Sequence, residues 1–489
     1  MVNKPSSLAE ACHENQKAPT THLITLLDQV AEQFPDHDAI ISLHQNSLRW
    51  TFAQLQEKSI QLATRLSSKG VGLGSRIVTF MYNEAQWALL FWASARLGCQ
   101  FVPLDPRVLD RDARDVLFLL DQLEPGAIFV SNEAMANRIT HITTDHHHRP
   151  FVQCVVSDNE EINVSAGWTT VSNIMSEPLK DNPPLHQPGN PDDTILILFT
   201  SGTTALPKGC PHTTTSIGAQ GLGFMYELKL GPGTNLCQHL PNFHVFNIAF
   251  TLAFWLAGAT VIFPSLSFDP QATLQLIRSY QQVTAPCVPA MIHALLNCAS
   301  PQNSSRPSFE VVLGGAPVTL DVMKRCRDLG ATRVMIGYGM TEGIPFVNTS
   351  LEMSMDLTTR NVSVGKVFYG GRVRICLEGS RIPIHKEEIG EVHLGGLPVF
   401  RGYLGGSNDS CYREDGVNWI ATGDQGYMDN EGYVYILGRY KDLIICGGEN
   451  ISPLKIEQCL AEVDGIGVSQ QDLVLLLNAV LTQRVLTVR

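Results

Sequence analysis

Apolar residues alternate between helical and strand spacing along the first 130 positions. Leu23, Leu26, Leu27, Val30 and Phe34 repeat at the spacing of one helix face. Beyond them, strands are predicted at residues 39–43, 48–50, 76–82, 99–103 and 127–130, and helices at residues 51–68, 84–97 and 111–123. This alternation predicts βαβ units and a largely parallel sheet.

A buried strand followed at once by small and hydroxyl residues lies near the middle of the chain. The five residues from Ile195 to Phe199 are all apolar, which is typical of a buried strand in an α/β sheet. Hydroxyls, backbone N–H groups and one ammonium follow, in Thr200, Ser201, Gly202, Thr203, Thr204 and Lys208. Such groups suit a polyphosphate, although the order of a Walker A loop is absent. An ordinary polar turn is the alternative that the residues alone leave open.

Two later apolar strands also end in residues suited to a ligand. The strand at Val311 runs into Gly314 and Gly315, whose lack of a side chain lets a flat ligand approach the backbone. The strand at Val334 runs into a segment that ends on Glu342. The longest apolar run, residues 248–263, is short for a membrane span and predicts a buried helix that leads into a strand.

Composition narrows the class of protein. The chain has 489 residues, of which 44% are hydrophobic and 17% are charged, so we expect a folded protein with two to four structural units. A net charge of −12 argues against a general nucleic-acid surface. Twelve cysteines without a C-x-x-C pair favour a reducing compartment. With neither a signal-peptide core nor a C-terminal Ser-Lys-Leu, we expect a cytoplasmic protein with no membrane span.

Several segments, in this order, closely resemble the signature motifs of the adenylate-forming superfamily. They read FTSGTTALPKG from Phe199, GGAP from Gly314, YGMTE from Tyr338, TGD from Thr422, and GRYKD from Gly438, followed by ICGGENI. That superfamily includes acyl- and aryl-CoA ligases, peptide-synthetase adenylation domains and luciferases. Ala205 departs from the usual glycine of the first motif, which costs about 1 kcal/mol if the position needs a positive φ.

The resemblance implies contacts to the phosphates and to a metal ion. The phosphates would be held by Lys208 together with the small and hydroxyl residues of the first motif, namely Thr200, Ser201, Gly202, Thr203 and Thr204. Thr341 would contact the α-phosphate, and Glu342 would bind Mg²⁺, a hard cation that requires anionic oxygen. Lys208, Thr341 and Glu342 are thus the predicted catalytic residues.

The rest of the nucleotide and the acid have their own predicted contacts. The adenine would lie against the turn after the strand at Val311 and beside the next motif, at Gly315, Ala316, Pro317, Tyr338 and Gly339. The ribose would be held by Asp424 and Arg439, and Lys441 would be the pivot of a hinge. The acid pocket would include His244, Phe243 and Gly339. A turn cap for Asp424 and a core position for His244 or Phe243 are the alternatives.

The resemblance also implies a division of the chain. We expect a mobile tail at residues 1–20 and an AMP-binding domain at 21–437, built of βαβ-derived mixed sheets with helices on both faces. A hinge at 438–442 and a shortened α+β lobe at 443–489 would follow. Only 48 residues follow Lys441, and the family's P-x-T-x-x-G-K motif, with its catalytic lysine, is absent.

We therefore interpret the chain as an acyl-CoA synthetase that uses ATP, Mg²⁺ and CoA. It resembles the acyl- and aryl-acid–CoA ligases of secondary metabolism, which are 4-coumarate–CoA ligase-like. Its acid would be aromatic or heteroaromatic, such as a benzene or pyridine carboxylate, or of medium chain length, and a downstream synthase or acyltransferase could use the thioester. Two alternatives stay open: a stand-alone amino-acid adenylation domain, for which Asp269 is a poorly placed amine anchor, and a nucleotide-binding pseudoenzyme that lacks the lysine.

Overall fold

The computed structural model describes thirteen stretches of the chain, at residues 8–12, 19, 21–144, 150–156, 167–179, 185, 189–200, 207–299, 308–348, 362–406, 409–442, 444–446 and 449–451. The helices of these stretches are α1 Leu23–Gln33, α2 Phe52–Ser68, α3 Ala85–Leu97, α4 Ala113–Leu123, α5 Glu133–Ile142, α6 Val171–Ser176, α7 Thr214–Glu227, α8 Val245–Leu256, α9 Pro270–Ser279, α10 Pro289–Cys298 and α11 Leu320–Asp328. Single 3-10 turns lie at Pro106–Asp110 and Tyr440–Asp442.

The strands of the same stretches are β1 Glu10–Cys12, β2 Asp38–Ser42, β3 Leu48–Thr51, β4 Arg76–Phe80, β5 Gln100–Leu104, β6 Ala127–Val130, β7 Val152–Val155, β8 Thr169–Thr170, β9 Thr194–Phe199, β10 Gly209–Thr213, β11 Asn235–Cys237, β12 Thr260–Phe263, β13 Val283–Cys287, β14 Phe309–Leu313, β15 Ala331–Met340, β16 Gly343–Asn348, β17 Lys366–Val367, β18 Gly371–Cys376, β19 Gly390–Gly396, β20 Cys411–Glu414, β21 Val417–Met428, β22 Val434–Arg439, β23 Ile444–Cys446 and β24 Glu449–Ile451.

These strands form three large sheets and one hairpin. The seven-stranded sheet has the order β10-β9-β5-β4-β6-β7-β8 and is parallel except for β10. The nine-stranded sheet has the order β17-β16-β15-β14-β13-β11-β12-β2-β3 and is parallel from β15 to β2. The six-stranded sheet is antiparallel and joins β1, β18, β19, β20, β21 and β22. β23 pairs only with β24.

Two helices that are apolar on nearly every face form the centre of the largest core. In α3 every residue is buried, and in α8 nearly every residue is. Trp87, Trp92 and Trp255 meet there with ring centroids 5.8 and 6.5 Å apart, and the Trp255 indole donates to Ala39 O at 2.9 Å. Because helices with no polar face must be covered on all sides, α3 and α8 are enclosed by the surrounding sheets and helices.

Most elements predicted from periodicity are confirmed. The capping box at Thr51 starts α2: the Gln54 amide donates to Thr51 Oγ1 at 3.2 Å, and the Thr51 amide donates to Gln54 Oε1 at 3.0 Å. The run at residues 248–263 is the expected helix, α8, followed by a strand, β12. No helix in the described part of the chain has the length and hydropathy needed to cross a bilayer.

The expectation of a mobile tail at residues 1–20 is wrong for part of that segment. Residues 10–12 form β1, which pairs antiparallel with β18, and Ala9 is fully buried beside it. The reason is that an edge strand offers unpaired backbone groups to a segment of any sequence, which periodicity cannot reveal. Residues 1–7, 13–18 and 20 lie outside the described stretches, as do residues 452–489 of the predicted small lobe.

Acidification is expected to destabilise the fold through buried histidines. His239 is fully buried, with Nε2 2.7 Å from Pro286 O, and burial lowers its pKa to about 4. The unfolded chain, with a histidine pKa of about 6.5, binds more protons below that pH, so stability is full above about 6.5 and falls towards pH 4. Between these two pH values, protonation of His239 lowers the free energy of unfolding by a total on the order of 3 kcal/mol.

The check is the thermal midpoint measured between about pH 7 and pH 5 for His239→Gln and wild type. We expect a smaller drop on acidification in the variant, whatever its midpoint at neutral pH. An equal drop of the thermal midpoint with pH in His239→Gln and wild type would contradict a role of His239 in acid destabilisation.

Candidate active site

Lys208 closes the predicted phosphate loop at the junction of two strands. The Thr200 amide donates to Lys208 O at 3.1 Å, and the Lys208 amide lies 3.3 Å from Thr200 Oγ1, so the ends of the loop are tied together. The Lys208 ammonium lies 5.1 Å from the centroid of the Tyr403 ring. The remaining predicted residues of this loop, Ser201, Gly202, Thr203 and Thr204, lie outside the described stretches.

Thr341 and Glu342 form the two-residue turn between β15 and β16. Met340 pairs with Gly343 across this hairpin. Glu342 is only 4% exposed, its backbone oxygen accepts from the Phe400 amide at 2.9 Å, and its Oε1 accepts from the Tyr403 hydroxyl. Burial raises the pKa of Glu342, while the Tyr403 hydrogen bond and the nearby charges of Arg439 and Lys208 oppose that rise. The turn therefore places one buried carboxylate beside two cationic side chains.

His212 supports this turn from β10, and sequence reasoning missed it. Its Nε2 lies 2.8 Å from Thr341 O, and its Nδ1 lies 3.3 Å from Ser216 Oγ. Burial lowers the pKa of His212 to about 4, so the ring is neutral near pH 7. Because a carbonyl can only accept, Nε2 carries the proton and Nδ1 accepts from the serine hydroxyl. The only sequence signal was its position, four residues after Lys208.

Asp424 is held between Tyr338 and Arg439. The Tyr338 hydroxyl donates to Asp424 Oδ2 at 2.6 Å, and Arg439 Nε donates to Oδ1 at 2.8 Å. Asp424 and Arg439 face each other across β21 and β22. Asp424 is 6% exposed, and burial raises its pKa against the opposing effect of the Arg439 charge. Three of the predicted nucleotide residues thus meet in one hydrogen-bonded group.

The glycines after β14 and within β15 have little room for side chains. A methyl group on Gly339 would lie 2.6 Å from Ile344 Cα and 2.8 Å from Gly343 O. Gly315, with φ near +73°, turns the chain after β14. Ala316 is half-buried and Pro317 is exposed in the same turn. The turn and the strand end therefore present bare backbone to whatever lies beside them.

The start of α8 lies against these glycines through Phe246. A methyl group on Gly314 would lie 2.9 Å from Phe246 Cζ, and one on Gly337 would lie 3.2 Å from Phe246 Cε2. Phe243 and His244 are half-buried just before the helix, with ring centroids 4.6 Å apart. Burial lowers the pKa of His244, and the charges of Asp105 and Arg107 also act on it.

The described side chains fit a polyphosphate and Mg²⁺. Glu342 supplies a buried anionic oxygen, and Lys208 and Arg439 supply the positive charge that phosphates require. In the described stretches, this site included, no cluster of three or more His, Cys, Asp or Glu could hold a metal by itself. Mg²⁺ is commonly held by one or two carboxylates together with substrate phosphates, which matches this donor set. Lys441 is exposed in the turn at Tyr440–Asp442.

The chain is similar in sequence to known proteins. Residues 27–404 match the family described as AMP-binding enzyme. The acyl-CoA ligase sidI of Aspergillus fumigatus is 29% identical over 464 residues, covering 91% of this chain and 77% of the relative. The 3-[(3aS,4S,7aS)-7a-methyl-1,5-dioxo-octahydro-1H-inden-4-yl]propanoyl:CoA ligase of Mycobacterium tuberculosis is 29% identical over 446 residues, covering 90% of this chain and 83% of the relative.

Solved structures show the same architecture. The o-succinylbenzoate CoA synthetase (MenE) from Bacillus subtilis, in complex with the acyl-adenylate intermediate OSB-AMP, has a TM-score of 0.74 at 25% identity, covering 93% of this chain and 84% of that one. MatB from Rhodopseudomonas palustris with bound ATP has a TM-score of 0.75 at 23% identity, covering 91% and 84% of the two chains, and supports the fold. The chain therefore belongs to the AMP-binding enzyme family and is an acid–thiol ligase of the acyl-CoA synthetase type, which uses ATP, Mg²⁺ and CoA.

Proposed function

We propose that this chain activates a compact carboxylic acid, aromatic, heteroaromatic or of medium chain length, in two steps. The carboxylate of the acid attacks the α-phosphate of ATP, which forms acyl-AMP and releases pyrophosphate. The CoA thiolate then attacks the acyl carbon, which forms the thioester and releases AMP. The observation that carries the proposal is the convergence of Lys208, Glu342 and Arg439 beside Asp424.

Each described residue of the site has a role in this proposal. Lys208 and Thr200 contact the leaving phosphates, and Thr341 donates to the α-phosphate from its place on the hairpin turn. Glu342 would hold Mg²⁺. When bound, this ion would neutralise part of the negative charge of the phosphates. Catalysis rests on positioning and charge stabilisation, because the reaction needs no covalent nucleophile on the protein.

Asp424 and its two partners are proposed to hold the ribose. A carboxylate oxygen has more than one acceptor site, so Asp424 can accept from ribose hydroxyls while it keeps Tyr338 and Arg439. Asp424→Asn should raise the KM for ATP about 10- to 100-fold, the scale of a lost hydrogen bond to a charged group, with a smaller effect on kcat. Steady-state kinetics with ATP varied would measure this.

The exposed Asp415 provides the control for that substitution. It lies in the turn between β20 and β21, and Asp415→Asn should leave the KM for ATP unchanged. A KM for ATP in Asp424→Asn that matches the wild-type value would contradict the ribose role.

The preference for a compact acid follows from the aromatic rings at the start of α8. Phe246 packs against Gly314 and Gly337, and Phe224, Phe250 and Phe368 pack behind it in tilted and edge-to-face arrangements, with centroids 4.3 to 6.3 Å apart. An acid bound beside Gly339 would meet these rings on that side of β15, and the contact would limit its length. The name of MenE records an aromatic acid, o-succinylbenzoate, and sidI is a fungal acyl-CoA ligase. We extend the proposal to secondary metabolism, with a downstream synthase or acyltransferase as the user of the thioester.

Amino-acid adenylation has less support. Asp269, the candidate anchor for an α-amino group, instead caps α9: its Oδ1 accepts from the Ala272 amide at 2.8 Å, and its side chain is exposed. A cap at an exposed helix start is a sufficient structural reason for an aspartate there. The free carboxylic acid is therefore the substrate class that we propose.

The deciding experiment is acid-dependent release of pyrophosphate from ATP by the purified chain with Mg²⁺ and without CoA. The panel contains benzoate, nicotinate, octanoate, palmitate and a set of amino acids, and a second assay follows thioester formation with CoA. We expect release with one compact acid and a thioester only when CoA is added. Release with amino acids alone would overturn the acid assignment. ATP binding without release for any acid would favour the pseudoenzyme alternative.

A further inference from the structure

One loop contacts both halves of the proposed phosphate site. Residues 398–404, here called the clamp loop, follow β19. The Phe400 amide donates to Glu342 O at 2.9 Å, and the Leu404 amide donates to Gly209 O at 2.8 Å, next to Lys208. The clamp loop therefore fixes the β15–β16 turn and the start of β10 relative to each other.

The clamp loop is itself held at two further points. The Gln220 side chain on α7 donates to Pro398 O at 2.9 Å, and Arg401 forms an ion pair with Asp192 at 2.6 Å. A methyl group on Gly343 would lie 2.8 Å from Pro398 O, so the loop backbone rests directly on the residue after Glu342. A backbone held at this many points can keep a side chain in one place before any ligand arrives.

Tyr403 is the side chain that the clamp loop presents to the site. Its hydroxyl donates to Glu342 Oε1, and the face of its ring lies 5.1 Å from the Lys208 ammonium. Burial and the neighbouring Glu342 charge raise the pKa of Tyr403, so the hydroxyl keeps its proton and acts as a donor. The ring is also packed against Phe400, with centroids 4.9 Å apart in an edge-to-face arrangement.

We propose that Tyr403 is a positioning residue with two separable functions, in which its hydroxyl orients Glu342 towards the metal ion and its ring orients Lys208 towards the phosphates. The proposal rests on the nucleotide-binding part of the proposed function. Without Tyr403, both charged side chains would have to be ordered when ATP binds, at the expense of affinity. The two functions use different atoms of one residue, so they can be removed one at a time.

Two substitutions and two conditions test this separation on the full chain. Tyr403→Phe removes only the hydroxyl, and Tyr403→Leu removes the hydroxyl and the aromatic face. The dissociation constant of ATP is measured by calorimetry, without acid, first in EDTA and then with saturating Mg²⁺. The ratio of the two constants reports the contribution of the metal, which a general structural defect would not change selectively.

For Tyr403→Phe we expect an unchanged dissociation constant of ATP in EDTA. The gain in ATP affinity on adding Mg²⁺ should be about 3- to 10-fold smaller than in wild type. For Tyr403→Leu we expect the same loss of the Mg²⁺ gain and, in addition, about 2- to 5-fold weaker binding in EDTA. Tyr280→Phe, at a half-buried tyrosine whose hydroxyl faces Arg49 far from the site, should match wild type in both conditions.

Several results would overturn the proposal. Wild-type values for Tyr403→Phe in both conditions would remove the role of the hydroxyl, and equal losses in EDTA and Mg²⁺ would indicate a structural effect alone. If Tyr403→Leu does not fold, Tyr403→Phe alone decides the hydroxyl role. Failure of the proposed function is distinct: wild type would then bind no ATP, or would release no pyrophosphate with any acid.

Discussion

Replacing Glu342 with glutamine is expected to lower the kcat of acid-dependent pyrophosphate release about 100- to 1,000-fold. Glutamine keeps the shape of the side chain and can still accept the hydrogen bond from Tyr403, so the β15–β16 turn should be preserved. What is lost is the one described anionic oxygen that the turn offers to a hard cation. Stopped assays at saturating ATP and acid, repeated over a range of Mg²⁺ concentrations, measure the effect.

The control for this substitution is Glu310, a half-buried glutamate of the same sheet. Glu310 lies on β14 and pairs with Arg333 at 3.7 Å, away from the turn, and Glu310→Gln should retain the wild-type kcat. A kcat of Glu342→Gln within about threefold of wild type would contradict the expected loss of 100-fold or more, and the Glu342 charge would then not contribute to catalysis. The metal assignment would then be wrong.

Gly339→Ala is expected to lower both the activity of the chain and its thermal midpoint. The added methyl group would lie 2.6 Å from Ile344 Cα and 2.8 Å from Gly343 O. Both neighbours are backbone atoms of the facing strand, which cannot rotate away as a side chain could. The hairpin must therefore open at the point that carries Thr341 and Glu342, and forcing atoms into a packed site costs about 1–3 kcal/mol.

Thermal unfolding and pyrophosphate release should be measured on the same Gly339→Ala preparation. We expect a midpoint lower by several degrees and activity reduced about 100-fold, since small displacements of catalytic groups are costly. Gly231→Ala is the matched control, because a methyl group there meets no atom within 4 Å. An active, stable Gly339→Ala protein would show that the turn tolerates the displacement, contrary to our reading of its geometry.

Helices and strands could be predicted from the sequence where their signals lie within a few consecutive residues. The capping box at Thr51 and the apolar run that becomes α8 and β12 each lie within a few consecutive residues. The antiparallel six-stranded sheet was not predicted. Its strands include polar positions, such as Asp424 and Arg439, that face the site rather than a core, so they do not read as apolar runs.

For the site, the resemblance to known motifs selected Lys208, Glu342 and Asp424 as candidates, but it did not predict the contacts that these residues make. Tyr403 is 61 positions from Glu342, and His212 is 129 positions from Thr341, and no periodicity links residues so far apart. These supporting contacts depend on how the three sheets pack. Tertiary packing of this kind is information that a single sequence does not display.

The pairing of β1 with β18 has a consequence for how the protein is made. Glu10 lies opposite Arg374, so the two partners are separated by more than 360 residues of chain. At ribosomal rates of about 5–20 residues per second, the first strand waits roughly 20 to 70 s for the second to be synthesised. During that interval its backbone groups have no native strand to pair with. The six-stranded sheet can therefore be completed only after every strand of the seven-stranded sheet, from β4 to β10, has been synthesised. A contact of such high sequence separation also closes slowly.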